Sequence, residues 1–507
     1  MLRIVTAAEI RSAEQLAIAR GATLTSLMTA AGTALAEVVS ERVPAGDIIV
    51  VAGPGNNGGD GWVAARILHA AGRTVSVASL RALEALKGEA ASAAQAAIES
   101  GVIWQHASTP SGVDFTGAAG IVDALLGIGA SGAPRPDIAE WIEALNSSSA
   151  ILISADIPTG VDADTGAVTG GAVHADVTVT FGAMKRGLVT FPGAGYAGDL
   201  VLADIGIPPD LTSPDAAPEV WTAEEYAALV PRPAPDVHKN QRGRVLVVAG
   251  SGTYPGAAIL AARGAARAGA GYVTLAVPEA IVGVAQGHLV SIPVVGLPSG
   301  RTGAFLSAAL ERLLRLARDF DAVVIGPGMT LADGAVVTAR GLVKRLPIPI
   351  VVDADALNAL VDAREILDAR TAPTVLTPHP GELGRLLSVT TADVQRDRIS
   401  SSAEMASAVH AVVLKGAGTV TSGDGRQVIN TSGTPALATA GTGDVLAGVI
   451  GALLAGGLDP LHAGALGAYV HGRAGEAAAS VLTPLCVTAE DVVEYLPTAF
   501  GEVLGEW

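Results

Sequence analysis

Short β-branched runs that leave through Gly or Pro recur along almost the whole of this 507-residue chain, and stretches long enough for a helix separate most of them. In the first two-fifths the runs fall at 48–52, 74–78, 121–125, 151–157 and 177–181; in the rest they fall at 245–249, 272–277, 322–325, 350–353, 374–377 and 412–414. Their apolar character is continuous rather than alternating. A strand that is apolar on both faces must be covered on both faces, the condition of a parallel sheet held between two layers of helices. The pattern predicts α/β architecture, in two unequal domains because the length is several times that of a typical domain. Composition agrees, since 50% of residues are hydrophobic, only 3% are aromatic and 62 are Gly, which suits close helix-on-sheet packing.

Between residues 207 and 236 the alternation lapses into IPPDLTSPDAAPEV and then PRPAP, around a short helix-like stretch at 222–229. Proline at that density predicts a connecting segment over 211–235, between a first domain at 1–210 and a second at 236–507. Near the N-terminus, Thr6 with Glu9 three residues on reads as a capping box, and two helices split near Gly21 follow. Further helices are predicted at 62–71, 138–146, 444–454 and 462–479.

The 32 basic and 49 acidic residues leave a formal charge of −17, which repels polyanions and disfavours non-specific nucleic-acid binding. An anionic ligand needs local donors such as main-chain amides, helix N-termini or a bound cation. Cys486 is the single cysteine, so an intramolecular disulfide, a thiolate zinc cluster and a CxxC redox pair are all excluded. Arg3, Glu9, Arg11 and Glu14 interrupt any secretory apolar core. The most apolar later run, 445–458, is about 14 residues and falls short of the roughly 20 that span a bilayer. A cytoplasmic protein without a membrane partner is expected.

In the first half the strongest local signal is GPGNNGGDG at 53–61, after an apolar strand and opening a helix. Its glycines permit positive φ and close approach of a ligand, and the helix start offers unpaired amides. Two consecutive Asn and an Asp add hard oxygen donors suited to a cation. It is not the ordinary dinucleotide fingerprint, whose third Gly is misplaced here. Two more strand ends carry acids, Asp123 in VDALLGIG and Asp156 in SADIPTG. One such Asp alone is better read as a turn cap. Three loops converging at the carboxyl ends of parallel strands favour a site.

In the second half the decisive motif is AGTGDVLAG at 440–448, leading into an apolar helix. Such a loop aims amides at a developing anion, while its Asp can take a proton from a hydroxyl. Asp is also a common helix cap, so its meaning comes from company. GPG at 326–328, DADALN at 353–358, TPHPGE at 377–382 and LKGAGT at 414–419 all follow apolar strands. His379, between two prolines, reads as a placed ligand contact and has no HxxxH partner for a metal. The Lys415 loop offers an ammonium and amides to phosphates but does not match GxxxxGK[ST], which rejects a P-loop kinase.

These stretches carry a resemblance. The first roughly 210 residues resemble the NAD(P)H-hydrate epimerase domain, a Rossmann-like three-layer α/β fold, through EIRSAEQLAIARG with LMTAAG, GPGNNGGDG, VDALLGIG, DIPTGVDADTG and ADVTVTFGAMKRGL with FPG. The resemblance implies a potassium ion on Asn57, Asp123 and Thr159. It implies substrate contacts from Asn56, Asn57, Gly58, Gly59 and Asp60, from Gly127, Ile128, Gly129, Ala130, Ser131, Gly132 and Ala133, and from Asp156. Asp156 and Lys185 are the candidates for the proton transfers that invert C6 of the hydrated nicotinamide, although a lysine near a loop end is more often simply solvated. Thr29 stands where the family commonly has an acid and Thr159 where it commonly has serine; a Thr hydroxyl can still ligate potassium.

From about residue 236 the chain resembles the NAD(P)H-hydrate dehydratase domain of the ribokinase-like superfamily. The stretches HKNQRGRVLVVAGS, YPGAA, AGAGYVTLAVP, IGPG, VVDADALN, LTPHPGE, KGAGT and GTGDVLAG stand in the family's order. By match, Ala257, Gly328, His379 and Asp444 contact the S-hydrate, while Lys415, Gly416, Ala417, Gly418, Thr419 and Gly443 hold the nucleotide. The resemblance implies ADP, or ATP, with magnesium as co-substrate and Asp444 as base. Small-molecule partners and a homo-oligomer are expected. Two rivals remain at this point: a ribokinase-like vitamin or sugar kinase with a non-catalytic first domain, since GTGD is shared across that superfamily, and a binding scaffold.

Overall fold

The structure is a computed structural model that describes residues 2–212 and 217–505. It contains two compact units, Leu2–Ala217 and Pro218–Trp507.

In the N-terminal unit seven parallel strands lie in the order Ile103–His106, Val75–Ser79, Asp47–Ala52, Ala118–Ala124, Ile151–Ala155, Val177–Phe181 and Asp199–Ala203. Alternate residues of one strand enter different cores. Val50 and Ala52 join a cluster with Trp62 and Leu35, whereas Ile49 and Val51 join one with Trp141 and Leu145. This two-sided burial is why the strands read as continuous apolar runs. The outer strands at 103–106 and 199–203 were not legible as such runs because an edge strand is partly open to water: Ile103, Gln105 and His106 are exposed.

Chain order reverses between Asp47–Ala52 and Ala118–Ala124, the central neighbours of this sheet. A crevice at such a switch point, outside the carboxyl ends of the strands, is where open α/β sheets bind ligands. The capping box forms as predicted, with the Glu9 amide donating to Thr6 Oγ1 at 3.2 Å and the Thr6 amide to Glu9 at 2.7 Å. The helices Ala7–Ala19 and Leu24–Arg42 then flank the crevice.

The C-terminal unit repeats this plan. Val294–Leu297, Tyr272–Pro278, Arg244–Val248, Ala322–Ile325, Ile350–Val352, Thr374–Leu376 and Ala411–Leu414 are parallel and adjacent in that order, again reversing between the third and fourth. An antiparallel hairpin, Val420–Gly423 with Arg426–Ile429, extends the sheet. Val245 and Val247 face one core and Leu246 and Val248 the other.

The segment read as a connector over 211–235 is more structured than its prolines imply. Residues 213–216 lie outside the described residues, but Glu219–Val220 pairs with the hairpin and Ala223–Leu229 is a helix with a complete Thr222/Glu225 capping box. Trp221 and Tyr226 are buried in the second unit's core, and Tyr226 stacks on Tyr469 with ring centroids 3.9 Å apart. Two aromatic anchors outweigh the flanking prolines.

Candidate active sites

The N-terminal crevice begins at the glycine-rich loop. Its helix starts at Asn56, so Asn57, Gly58, Gly59, Asp60 and Gly61 lie within the first turns rather than ahead of them. None of these glycines, nor Gly53 or Gly55, adopts positive φ, which corrects that part of the sequence argument. Close approach is what requires Gly53, Gly58 and Gly61, whereas Gly55 has open space around it. A Cβ at Gly58 would lie 1.9 Å from the Gly53 carbonyl oxygen, one at Gly53 would lie 1.9 Å from that of Leu125, and one at Gly61 would lie 2.7 Å from Ala124 Cβ. The helix is thereby pressed onto the strand ends with its N-terminus toward the crevice.

A cleft of about 430 Å³ opens there, lined by Asn56, Asn57, Asp60, Gly127, Ile128, Gly129, Asp156 and Lys185 among the expected residues, and also by Glu14 and Arg11. Gly129, Ala130, Ser131, Gly132 and Ala133 line a neighbouring cleft of about 330 Å³ that shares Leu126 and Gly129 with the first. Gly58 and Gly59 are buried behind the wall.

Asp156 holds a left-handed backbone at φ 65, uncommon for a residue with a Cβ. Its amide donates to the Val179 carbonyl at 2.7 Å, which turns the carboxylate toward the cleft. The Lys185 ammonium, only 1% exposed, pairs with that carboxylate and donates to the Phe181 carbonyl at 2.6 Å. It is a buried, placed group rather than a solvated loop lysine. Burial, then the Asp156 and Glu14 carboxylates, pushes Asp60 well above the ordinary carboxylate range. Glu14 is raised by burial and by Asp156. Sequence reasoning missed Glu14 because it reaches the cleft from a different helix.

Asp123 and Thr159 meet beneath the cleft. The Thr159 hydroxyl donates to Asp123 at 2.7 Å, and the carboxylate also accepts from the Ser154 hydroxyl and the Thr159 amide, both at 2.9 Å. Burial pushes Asp123 upward against these bonds. Asn57 lies against Gly127, and its buried Oδ1 and Nδ2 have no hydrogen-bond partner. A buried amide with both polar atoms unpaired within the protein has room for an ion or an ordered water as partner.

In the C-terminal unit, Gly250 donates to the Pro327 carbonyl at 2.7 Å across the switch point. Gly328 (φ 62) packs against Ala257, near the start of the helix Pro255–Arg267, so closely that a Cβ would sit 3.0 Å from that of Ala257. Gly441, left-handed at φ 96, turns the chain into the helix Thr442–Ala455, whose third residue is Asp444. Gly443 lies under the Lys415 ammonium, where a Cβ would come within 3.3 Å of Nζ. Lys415 donates to Asp353 at 2.7 Å, and the same carboxylate oxygen accepts from the Thr377 hydroxyl at 2.7 Å. Burial alone would lower the Lys415 pKa, but the charges of Asp353 and Glu382 hold it above the ordinary value. Burial first, and then the Asp353 carboxylate, pushes Asp444 up to about 7.

His379 is the N-cap of the helix Pro380–Leu387. Its Nδ1 accepts from the Gly381 amide at 3.0 Å, which assigns the proton to Nε2, and the ring is exposed. The loop of Lys415, Gly416, Ala417, Gly418 and Thr419 is closed by a Thr419 hydroxyl bond to the Gly416 carbonyl at 2.9 Å. Arg398, which sequence reasoning missed, is buried behind it and donates to the carbonyls of Leu414, Lys415 and Gly418. Another missed residue, His471, hydrogen-bonds the Thr442 backbone, and burial pushes its pKa down to about 4.

Residues 245–498 match the family described as NAD(P)H-hydrate dehydratase, and residues 24–187 the family described as YjeF-related protein N-terminus. A bifunctional NAD(P)H-hydrate repair enzyme of Moorella thermoacetica is 38% identical over 97% of this chain and 96% of its own length. The chain belongs to the bifunctional NAD(P)H-hydrate repair enzymes. Another such enzyme, from Thermofilum pendens, is 37% identical over 89% of this chain and 86% of its own length. A ribokinase-like superfamily protein of Enterococcus faecalis, 23% identical, covers 56% of this chain and 96% of its own with a TM-score of 0.50, which identifies the fold of the C-terminal unit. Membership across nearly the full length distinguishes this repair enzyme from a small-molecule kinase fused to an unrelated domain. Among the described residues no helix is long and apolar enough to cross a membrane.

Proposed function

We propose that the N-terminal unit interconverts the R and S hydrates of NADH and NADPH, and that the C-terminal unit uses ADP or ATP to dehydrate the S form back to the reduced cofactor. The observation that carries the reading is the pair of switch-point sites, each with a lysine–aspartate ion pair largely shielded from water, within a chain that matches such bifunctional enzymes over nearly its full length. In the first site Asp156 and Lys185 are the proton-transfer groups for inversion at C6, held by the Phe181 carbonyl and the left-handed turn. Asn56, Asp60 and the loop from Gly127 to Ala133 would contact the hydrate. The donor set of Asn57, Asp123 and Thr159 suits potassium, and the unsatisfied Asn57 amide supports it. Potassium bound there would supply positive charge for an anionic cofactor.

In the second site Asp444 would take the proton of the C6 hydroxyl as its oxygen attacks the terminal phosphorus, releasing AMP from ADP or ADP from ATP. Loss of phosphate from C6 and of a proton from C5 then restores the ring double bond. The Gly441 to Gly443 turn offers main-chain amides to the transferring group, and the Lys415 to Thr419 loop offers donors to the nucleotide. Magnesium, arriving with the nucleotide, would neutralise phosphate charge. Ala257, Gly328 and His379 would contact the hydrate, the last through Nε2–H. The test supplies mixed R and S hydrates with magnesium and ADP, then ATP, and follows the return of reduced-nicotinamide absorbance. No recovery with either nucleotide overturns the proposal.

A further inference from the structure

Nothing in the assignments above uses the Asp353 carboxylate, yet it stands at the centre of the second site. It is 1% exposed, and one of its oxygens accepts from both Lys415 Nζ and Thr377 Oγ1 at 2.7 Å. The Asp353 backbone is fixed as well. Gly326, at φ 127, passes so close that a Cβ there would lie 1.8 Å from the Asp353 carbonyl oxygen. A carboxylate this buried needs a compensating reason, because an ion pair out of water repays its desolvation only with good geometry. The fold could satisfy Thr377 with a neutral group. What a neutral group could not do is balance the charge of the ammonium that lies over Gly443, one residue from Asp444.

We propose that Asp353 is a positioning residue of the dehydratase, fixing the Lys415 ammonium above the anion-binding turn and balancing that cation's field at the base Asp444. The inference rests on the dehydratase reading. Without Asp353 the lysine's field at Asp444 would be opposed only by the weaker effects of Asp355 and Glu382 and would favour the ionised carboxylate, and the ammonium would be held less firmly over Gly443. The groups that act on Asp444 are Asp353 and Asp355 after one strand, Glu382 on the His379 helix and Lys415 on its loop. His471, from the helix Pro460–Leu482, is neutral over the relevant range. Removing Asp353 alone therefore leaves the cation dominant, whereas removing Asp353 and Lys415 together cancels most of the change.

The experiment measures kcat/KM for pure S-hydrate across pH, at saturating nucleotide, in the full chain. It compares the parent, Asp353→Asn and the double variant Asp353→Asn/Lys415→Gln, with thermal melts on each. Asp353→Asn keeps the side-chain shape and an acceptor for Thr377. Its acid limb is expected to move to lower pH by roughly one unit, the effect of deleting a nearby like charge. Its plateau rate should fall by about tenfold or more as Lys415 loses its ionic partner and is held less firmly. In the double variant the limb should return toward the parent position while the rate stays low. A limb that stays in place in folded Asp353→Asn, or that stays displaced in the double variant, overturns the proposal. An inactive parent would instead overturn the dehydratase reading.

Discussion

Asp444→Asn makes one prediction about stability and another about rate, with opposite signs. The carboxyl is raised from 3.8 to about 7 by burial and by Asp353, so the folded protein keeps a proton that the unfolded chain gives up. Below the ordinary carboxylate range both states are protonated and the group costs nothing. As pH rises from about 4 to 7 the unfolded state alone ionises, and stability is lost. A shift of that size corresponds to at most about 4 kcal/mol, and partial contact with water reduces it to about 2–4 kcal/mol. Asparagine cannot ionise and retains the size of Asp, and the helix N-cap at Gly441 is untouched. At pH 8 the variant should therefore stabilise the C-terminal unit by that amount, and at pH 4 it should be nearly neutral. Dehydration should fall by orders of magnitude with R-to-S exchange unaffected. The assay is a urea titration at each pH, read by amide-exchange mass spectrometry of peptides from Thr442–Ala455 after a brief pulse at a common pH. An equal change at pH 4 and pH 8, or a destabilisation at pH 8, would refute the electrostatic account; near-normal dehydratase activity would refute the base.

Three further outcomes follow from the N-terminal site. Gly58→Ala forces a Cβ to within 1.9 Å of the Gly53 carbonyl oxygen, so the unit should lose roughly 1–3 kcal/mol or more and its epimerase activity; a variant with an unchanged melt would contradict the close-packing argument. Potassium should support epimerisation in the parent and fail to do so in Asp123→Ala, and equal parent rates in potassium and in a bulky organic cation would remove the cation from the reading. Asp156→Asn should leave pure S-hydrate repaired at a normal rate while the R epimer accumulates, followed by chromatography of both epimers; continued R-to-S exchange would disqualify Asp156 as a proton-transfer group.

The central strands were legible because burial on two faces writes itself into the chain as an unbroken apolar run. Val245 to Val248 read that way since successive residues enter different cores. Edge strands carry no such mark, and Ile103–His106 is half polar because three of its four residues are open to water. Proline misled in the other direction. The segment around Trp221 and Tyr226 looks like a linker by composition, yet one ring is buried beside the other and stacks on Tyr469 from a helix more than two hundred residues away. Local composition records the turns and omits that partner. The glycine-rich loop was located by its motif but explained by the wrong property, because a helical glycine needed for packing and a left-handed one look alike in sequence.

Site residues divide by the same rule. Strand-end motifs pointed to Asp123 and Asp156 in the first unit and to His379 and Lys415 in the second, since loops at the carboxyl ends of one sheet's parallel strands converge, whereas Asp444 was marked by the glycine turn that opens its helix. Pairing across the crevice was not exposed: Lys415 and Asp353 are 62 positions apart, and Lys185 and Asp156 are 29. Those pairs alter the electrostatic argument. In a chain of charge −17 the two lysines are the natural candidates for attracting an anionic nucleotide, but each is already neutralised by its own aspartate. Attraction in the second unit then falls to main-chain amides at Gly441 to Gly443 and at the Lys415 to Thr419 loop, and in the first to the helix beginning with Asn56 together with Arg11 in the cleft wall, assisted by whatever cation enters with the ligand. On the proposed reading the paired lysines would place protons and the transferring group, a task that needs a fixed ammonium more than a free charge. On this argument ionic strength should affect nucleotide capture weakly in the C-terminal unit. A steep fall of kcat/KM with salt would show that unpaired side-chain charge, rather than oriented amides, draws the nucleotide in.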